Sequence, residues 1–372
     1  RFASSIGEYY YLNRVFKGLS GLVRAGIPSV KITPERTNTW NLGLDVAMFN
    51  NRLTFSLDYF DSRSKDLIMP VTISSVYGTD CMYRNLGEVS NKGIEFGAQL
   101  ALIQNRDFKW YVGGTISTNK NEVKSLGGEN SMILSMSDGS AVISEVGQPL
   151  YSFYGYQTDG VFATDDAVVA AGKDGQALTN AIGVAFAAGD MRFVDQNGDG
   201  KIDKEDRVNL GNALPDFYGT FYTNFQYKGL AVSAVFGYSK GNKMYNAVRR
   251  TMESMSDFSN QLTSVTRRWM YEGQITDIPR AVYGDPMENS RFSDRWIEDA
   301  SYLKLKELMV SYKFNLFAGT TVFVAAENLF TATKYLGMDP ETMYSYDSSM
   351  RGFDYGKIAS PRTVKLGFKV QF

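Results

Sequence analysis

Pro361-Arg-Thr-Val-Lys-Leu-Gly-Phe-Lys-Val-Gln-Phe372 closes the chain, and its reading decides the fold. Val364, Leu366, Phe368, Val370 and Phe372 occupy every second place; Thr363, Lys365, Gly367, Lys369 and Gln371 fill the places between. Successive side chains of a strand point to opposite faces, so this segment has one apolar and one polar face. A soluble sandwich and a membrane barrel both alternate in this way, and the remaining sequence has to separate them.

Eight further segments alternate. The first carries Trp40, Leu42, Leu44, Val46 and Met48 on one face, and the second Leu53, Phe55, Leu57 and Tyr59. Between them lies only Asn50-Asn51, residues that tolerate positive φ in a tight hairpin. The third carries Ile94, Phe96, Ala98, Leu100 and Leu102, and after Gln104–Asp107 the fourth carries Phe108, Trp110, Val112, Gly114 and Ile116. Phe217, Gly219, Phe221, Thr223, Phe225 and Tyr227 mark the fifth; Lys228-Gly229 leads to Leu230, Val232, Ala234, Phe236 and Tyr238 of the sixth. Leu308, Val310, Tyr312 and Phe314 end the seventh, and Asn315–Gly319 links it to Val322, Val324 and Ala326 of the eighth.

The connections are sorted by length. Those after the first, third, fifth and seventh segments are short, whereas residues 62–91, 120–214, 241–300 and 330–361 form long ones. An up-and-down sheet places alternate connections at opposite ends, so short turns gather on one side and long loops on the other. That is the plan of an outer-membrane barrel, with periplasmic turns and extracellular loops. Soluble β-proteins have no reason to sort loops by side. The sequence therefore predicts an all-β, transmembrane antiparallel up-and-down barrel in contact with the lipid bilayer, with residues 1–37 as extracellular loop.

Composition agrees. Hydrophobic residues make up 44% and aromatics 14%, with 23 Tyr and 24 Phe, yet mean hydropathy is −0.24. Only alternate strand residues face lipid, so a barrel averages as polar. Net charge is −1, which leaves no footprint for nucleic acid. The lone cysteine, Cys81, reads as a free thiol in a loop, and the absence of His removes Ser-His and Cys-His catalysis and His-metal sites. No carboxylate pair has a spacing that singles out an acid and a base, so no catalytic residue and no enzyme is expected. Tyr59, Tyr227, Tyr238 and Tyr312 read as an interfacial girdle, and Asp58, Glu95, Gln99, Asn224 and Gln226 as lumen lining. The chain begins at Arg1, and an odd strand count leaves the first strand in need of a partner. Unpaired backbone groups in lipid each cost several kcal/mol, so residues 1–372 are expected to be the carboxy-terminal part of a longer barrel.

Several segments resemble one family in order. Asn91-Lys-Gly-Ile-Glu-Phe96, Asp299-Ala-Ser-Tyr-Leu-Lys-Leu-Lys-Glu-Leu308, Glu327-Asn-Leu-Phe-Thr-Ala-Thr-Lys-Tyr-Leu-Gly-Met-Asp-Pro-Glu341, Gly352-Phe-Asp-Tyr-Gly356 and Pro361-Arg362 are similar to segments of SusC-like (RagA/SusC family) TonB-dependent receptors. Asp195–Gly200 with Ile202-Asp203 fits a further segment of that family, while Ile358-Ala359-Ser360 departs from its pattern. The terminal Phe372 is similar to the carboxy-terminal assembly signal of outer-membrane barrels. The resemblance implies a barrel of about 22 strands with an amino-terminal plug outside this chain. It also implies a SusD-like surface lipoprotein as lid, energy passed through TonB, and import of oligosaccharides or peptides. The alternative is a passive porin or structural barrel.

Two sets of candidate site residues stand out in the loops. Asp195, Asn197, Asp199, Lys201, Asp203 and Asp206 fall at the spacing of a twelve-residue calcium loop, with Gly200 at the sharp turn and the Lys201 carbonyl as a ligand. Asp206 stands where such loops carry Glu. A structural Ca²⁺ is the expectation here. Trp269, Tyr271, Tyr283, Trp296 and Tyr346 are candidates for stacking on sugar rings or packing on a lid; folding the loops upon themselves is the competing role.

Overall fold

The computed structural model describes residues 11–16, 19–24, 27, 29, 32–77, 81–314 and 319–371. Nine strands form one antiparallel sheet: β1 (Arg36–Met48), β2 (Leu53–Thr72), β3 (Cys81–Gln104), β4 (Phe108–Leu126), β5 (Phe217–Tyr227), β6 (Leu230–Lys240), β7 (Tyr302–Phe314), β8 (Gly319–Thr333) and β9 (Thr363–Gln371). Every strand pairs with its sequence neighbours, and β1 and β9 are the edges among the described residues. The nine expected strands are these nine, in the expected order. Residues 11–24, expected as loop, carry a separate hairpin of Tyr11–Phe16 with Leu19–Arg24. Phe372, residues 1–10 and the link 315–318 lie outside the described residues.

The registers put the apolar sets on one face. Leu44 pairs with Leu57, Leu57 with Phe96, and Phe96 with Ile116. Phe225 lies between Trp110 and Val232, Val232 meets Val310, and Val310 meets Val324, which meets Leu366. This face stays bare: Leu42 is 76% and Phe368 78% exposed. Phe221 stacks on Phe236 with ring centroids 4.4 Å apart, and the Trp110 indole N–H donates to Thr223 Oγ1 at 2.9 Å. A donor on a lipid face needs such a local acceptor, because lipid offers none. The opposite face is polar, with hydroxyl and amide ladders: Thr39 with Ser62, Thr115 with Thr220, and Tyr222 donating to Gln99 at 2.8 Å. Two glycines on this face lie under aromatic rings. A Cβ on Gly93 would meet Phe60 at 2.5 Å, and one on Gly113 would meet Tyr222 at 2.5 Å.

Three departures from the sequence reading have physical causes. The first hairpin is wider than Asn50-Asn51. Met48 pairs with Leu53, and Phe49, Asn50 and Asn51 all take positive φ. Secondly, most of residues 62–91 is strand, and Cys81, read as a loop residue, opens β3. Beyond Tyr59 the apolar face gives way to Asp61, whose carboxylate pairs with Lys92 at 2.9 Å. Further out Met69 and Val89 are buried beside Val123 and Leu126 among polar neighbours, so the sequence loses its period of two while the backbone pairing continues. Thirdly, the register shifts between Leu305 and Glu307. A bulge inserts one residue and shifts the side-chain phase, which turns Lys304, Lys306 and Glu307 to the polar face while Leu305 and Leu308 stay on the apolar one.

The long connections on β4–β5, β6–β7 and β8–β9 fold together above the sheet. The first adds a four-stranded sheet of Ser131–Ser135, Ala141–Glu145, Ser152–Tyr156 and Arg207–Gly211, and helix α1 (Asp165–Ala171) capped by Thr164. The second supplies Lys243–Asn246 and Ile297–Asp299, joined in one sheet by Phe353–Asp354 of the third, and helix α2 (Ala247–Glu253) capped by Asn246. Their core draws on all three: Val142, Phe153 and Leu210; Tyr245, Phe292 and Trp296; and Phe353. Burying aromatic side chains offsets the entropy of ordering such long segments.

Candidate binding surface above the barrel wall

Ion pairs and hydrogen bonds lock the three connections to each other. Asp190 is fully buried and takes both Arg280 Nε and Nη2 at 2.9 Å, with Asn289 as a further donor at 3.1 Å. Gly189 beside it holds φ +88, and a Cβ there would strike the Trp269 ring at 2.5 Å. Only glycine fits this contact between the first and second connections. Arg249 bonds to Glu298 at 3.0 Å, Arg295 to Glu253 at 3.0 Å, and Glu298 accepts Leu336 N from the third connection at 2.8 Å. Asp138 accepts from Tyr245 and Tyr355 at 3.1 and 3.0 Å. Burial raises the Asp138 carboxyl, but hydrogen bonds from Ser140, Tyr355 and Tyr245 outweigh it and hold the group below its ordinary value.

At the barrel mouth, Lys304 is 2% exposed and reaches Asp339 at 3.0 Å and Glu341 at 3.1 Å; Lys306 also pairs with Glu341. The β7 bulge makes this possible by turning both lysines inward. The sequence signal was present as Lys304-Leu-Lys306 and Asp339-Pro-Glu341, but nothing in the spacing showed that the two segments meet.

The five aromatic candidates divide. Trp296 takes the competing role of folding the loops upon themselves and is 1% exposed. It lies between the Arg249 and Arg295 guanidinium groups at 5.3 and 4.9 Å and donates to Arg291 O at 3.1 Å. Trp269 is half-buried against Gly189. Tyr271, Tyr283 and Tyr346 stand in solvent, Tyr346 at 95% exposure. Phe258, Met270 and Ile275, which the sequence reading passed over, are also exposed, and Phe258 sits 5.3 Å from the Tyr283 ring. A lone aromatic between Asp257 and Ser259 was the available signal for Phe258.

The Asp/Asn/Gly loop turns at Gly200, with φ +86, as expected. Its side-chain oxygens accept from backbone N–H groups. Asp195 accepts from Gly198 and Gly200, Asn197 from Asp199, Asp199 from Lys201, and Asp203 from Glu205. Asp206 is buried and accepts from Gln196 and Asp203 at 2.8 Å, completing a capping box with Asp203. Burial pushes its carboxyl up. Ile202, fully buried among Phe162, Phe186 and Phe193, pins the turn to the cap. Among the described residues no three acidic, His or Cys side chains stand together as a metal cage. The six residues make a compact turn.

The family described as TonB dependent receptor-like, beta-barrel matches residues 2–329. TonB-dependent receptor P3 of Formosa agariphila is 30% identical over 373 residues, covering 95% of this chain and 36% of that protein. TonB-dependent receptor SusC of Bacteroides thetaiotaomicron is 27% identical over 361 residues, covering 91% of this chain and 32% of that protein. The solved RagAB peptide transporter superposes with a TM-score of 0.76 at 22% identity, covering 98% of this chain and 38% of that one, a likeness of fold alone. The chain thus spans 36% and 32% of the length of the two curated relatives. A family match over most of the sequence agrees with the bare apolar face: this chain belongs to the TonB-dependent receptor-like β-barrel family and is a SusC-like, outer-membrane barrel chain.

Proposed function

We propose that this chain forms wall and cap of an active-transport receptor that imports oligosaccharides or peptides across the outer membrane. A SusD-like surface lipoprotein serves as its lid, and TonB supplies the energy through parts of the protein outside this chain. The family is one of transport receptors rather than enzymes. The observation that carries the reading is the cap. Three connections share one core, yet Phe258, Tyr271, Ile275, Tyr283 and Tyr346 remain in solvent. Fixed apolar groups on an ordered extracellular surface are organised for contact with another molecule. Purification in mild detergent tests the partnership: a surface lipoprotein is expected to accompany the receptor, and Phe258→Asp with Tyr283→Asp to weaken its retention. Deleting TonB in the native host tests the energy source. Uptake that continues unchanged without TonB makes the protein a passive porin.

A further inference from the structure

A cavity of about 540 Å³ opens on the polar face at the barrel mouth, between β4–β7 and the last connection. Ser117, Tyr218, Thr220 and Ser239 give it a hydroxyl-rich floor, and Lys306, Glu341 and Arg351 are its charged lining residues. Two of those three charges are already matched. Lys304 and Lys306 stand against Asp339 and Glu341, two cations to two carboxylates. Arg351 makes no ion pair among the described residues, so the cavity keeps one positive charge. Asp354, the nearest acid along the chain, is buried and accepts from Tyr335 Oη at 2.6 Å and Gly356 N at 2.9 Å; Asp347 is turned to Ser349 N and Oγ at 2.9 and 2.8 Å.

The position of Arg351 is built. Ser349 before it is buried under the Asp347 cap, and Phe353 after it is fully buried in the cap core. Gly352, at φ +78, packs against Ala213 and Phe153, and its carbonyl accepts Tyr245 N at 2.7 Å. Backbone held on both sides keeps Arg351, whose side chain is exposed, in the cavity lining, where its planar fork suits a carboxylate. The surrounding hydroxyls suit the polar remainder of a ligand.

We propose that this cavity is a subsite for a carboxylate on the transported oligomer, with Arg351 as its anchor and Lys306 beside it. The proposal rests on the transport reading and narrows its substrate class to acidic oligomers. The carboxylate has two sources, a uronic acid or an acidic peptide.

Calorimetry on the full-length receptor with its co-purified partners tests this with four probes: tetragalacturonate, its methyl ester, a tetra-aspartyl peptide and tetra-asparagine. The acid form of one pair is expected to bind at least about tenfold more tightly than its neutral form, as one charge-assisted contact requires. Arg351→Gln is expected to erase that difference, while neutral-probe binding and heat-resistant migration on gels stay as in wild type. Which pair shows the preference tells the two sources apart. Equal binding of acid and neutral forms, or an acid preference that survives Arg351→Gln, overturns the subsite; so does failure of both acid probes to bind. TonB-dependent uptake of an acidic oligomer that ignores Arg351→Gln overturns the subsite while leaving the transport reading standing.

Discussion

The strands and the cap are stabilised by opposite arrangements of the same residue types. In the sheet, apolar side chains point outward and stay bare, Phe368 and Leu42 among them, because lipid completes them. In the cap, Phe153, Trp296 and Phe353 are sealed inside and charged pairs such as Asp190–Arg280 are buried with them. The wall is a membrane structure; the cap is a water-soluble domain assembled from three connections. Substitutions that injure one should therefore spare the other.

The largest effect is expected in the cap. Trp296→Ala removes a fully enclosed ring and its two guanidinium contacts, and truncation of a buried Trp costs about 3–5 kcal/mol. Proteolysis within residues 241–300 should quicken many-fold while heat-resistant migration of the barrel persists. Loss of both together would show that cap and wall fold as one unit. Phe221→Arg, near the middle of β5, attacks the wall instead. Arginine on a lipid face costs about 2–4 kcal/mol near the midplane, so assembled receptor should fall sharply, whereas Gln226→Arg on the lumen side assembles normally. Equal behaviour of the two variants would contradict the facing assigned here.

A smaller effect is expected at the Asp/Asn/Gly turn. Asp206→Ala removes the capping box and should cost about 1–2 kcal/mol, seen as faster cleavage near residues 195–206. A chelator separates the two readings of the wild-type loop: unchanged cleavage fits a turn held by its backbone N–H bonds alone, and protection that appears only with calcium establishes the metal site. The smallest effect concerns pH. Asp138 has a folded pKa below its unfolded value near 3.9. Its stabilising contribution is therefore present above that value and fades as pH falls through the folded one. Pepsin sensitivity of the cap should rise only below about pH 4, and Asp138→Asn should remove part of the rise. An onset near pH 6 would implicate other groups.

The same contrast governs what the sequence reveals. Inside the bilayer each strand residue faces either lipid or water, so Leu53 to Tyr59 and Val364 to Val370 announce their faces with period two. Above the bilayer the first connection packs on the wall and buries Met69 and Val89, and the strand character of residues 62–72 and 81–91 left no period of two to read. The cap was legible only as length. Its core joins Val142, Tyr245 and Phe353 across more than two hundred residues of sequence, and no local period encodes such a meeting. Trp296 and Tyr346 looked alike as loop aromatics; the two arginines that enclose Trp296 became its neighbours only through the fold.

The extension of β3 sets a distance scale outside the membrane. Its apolar face runs from Ile94 toward the short turn, so Cys81–Lys92 stands above the lipid. At about 3.3 Å per residue and a tilt near 45°, that overhang rises roughly 25–30 Å. The rim therefore lies about one bilayer thickness out from the surface. On the transport reading, a lipoprotein anchored by its acyl chains in the outer leaflet needs a tether of about eight or more extended residues to settle on that rim. Shortening the tether below that span would hold the lid in the membrane plane, beside the gate rather than over it.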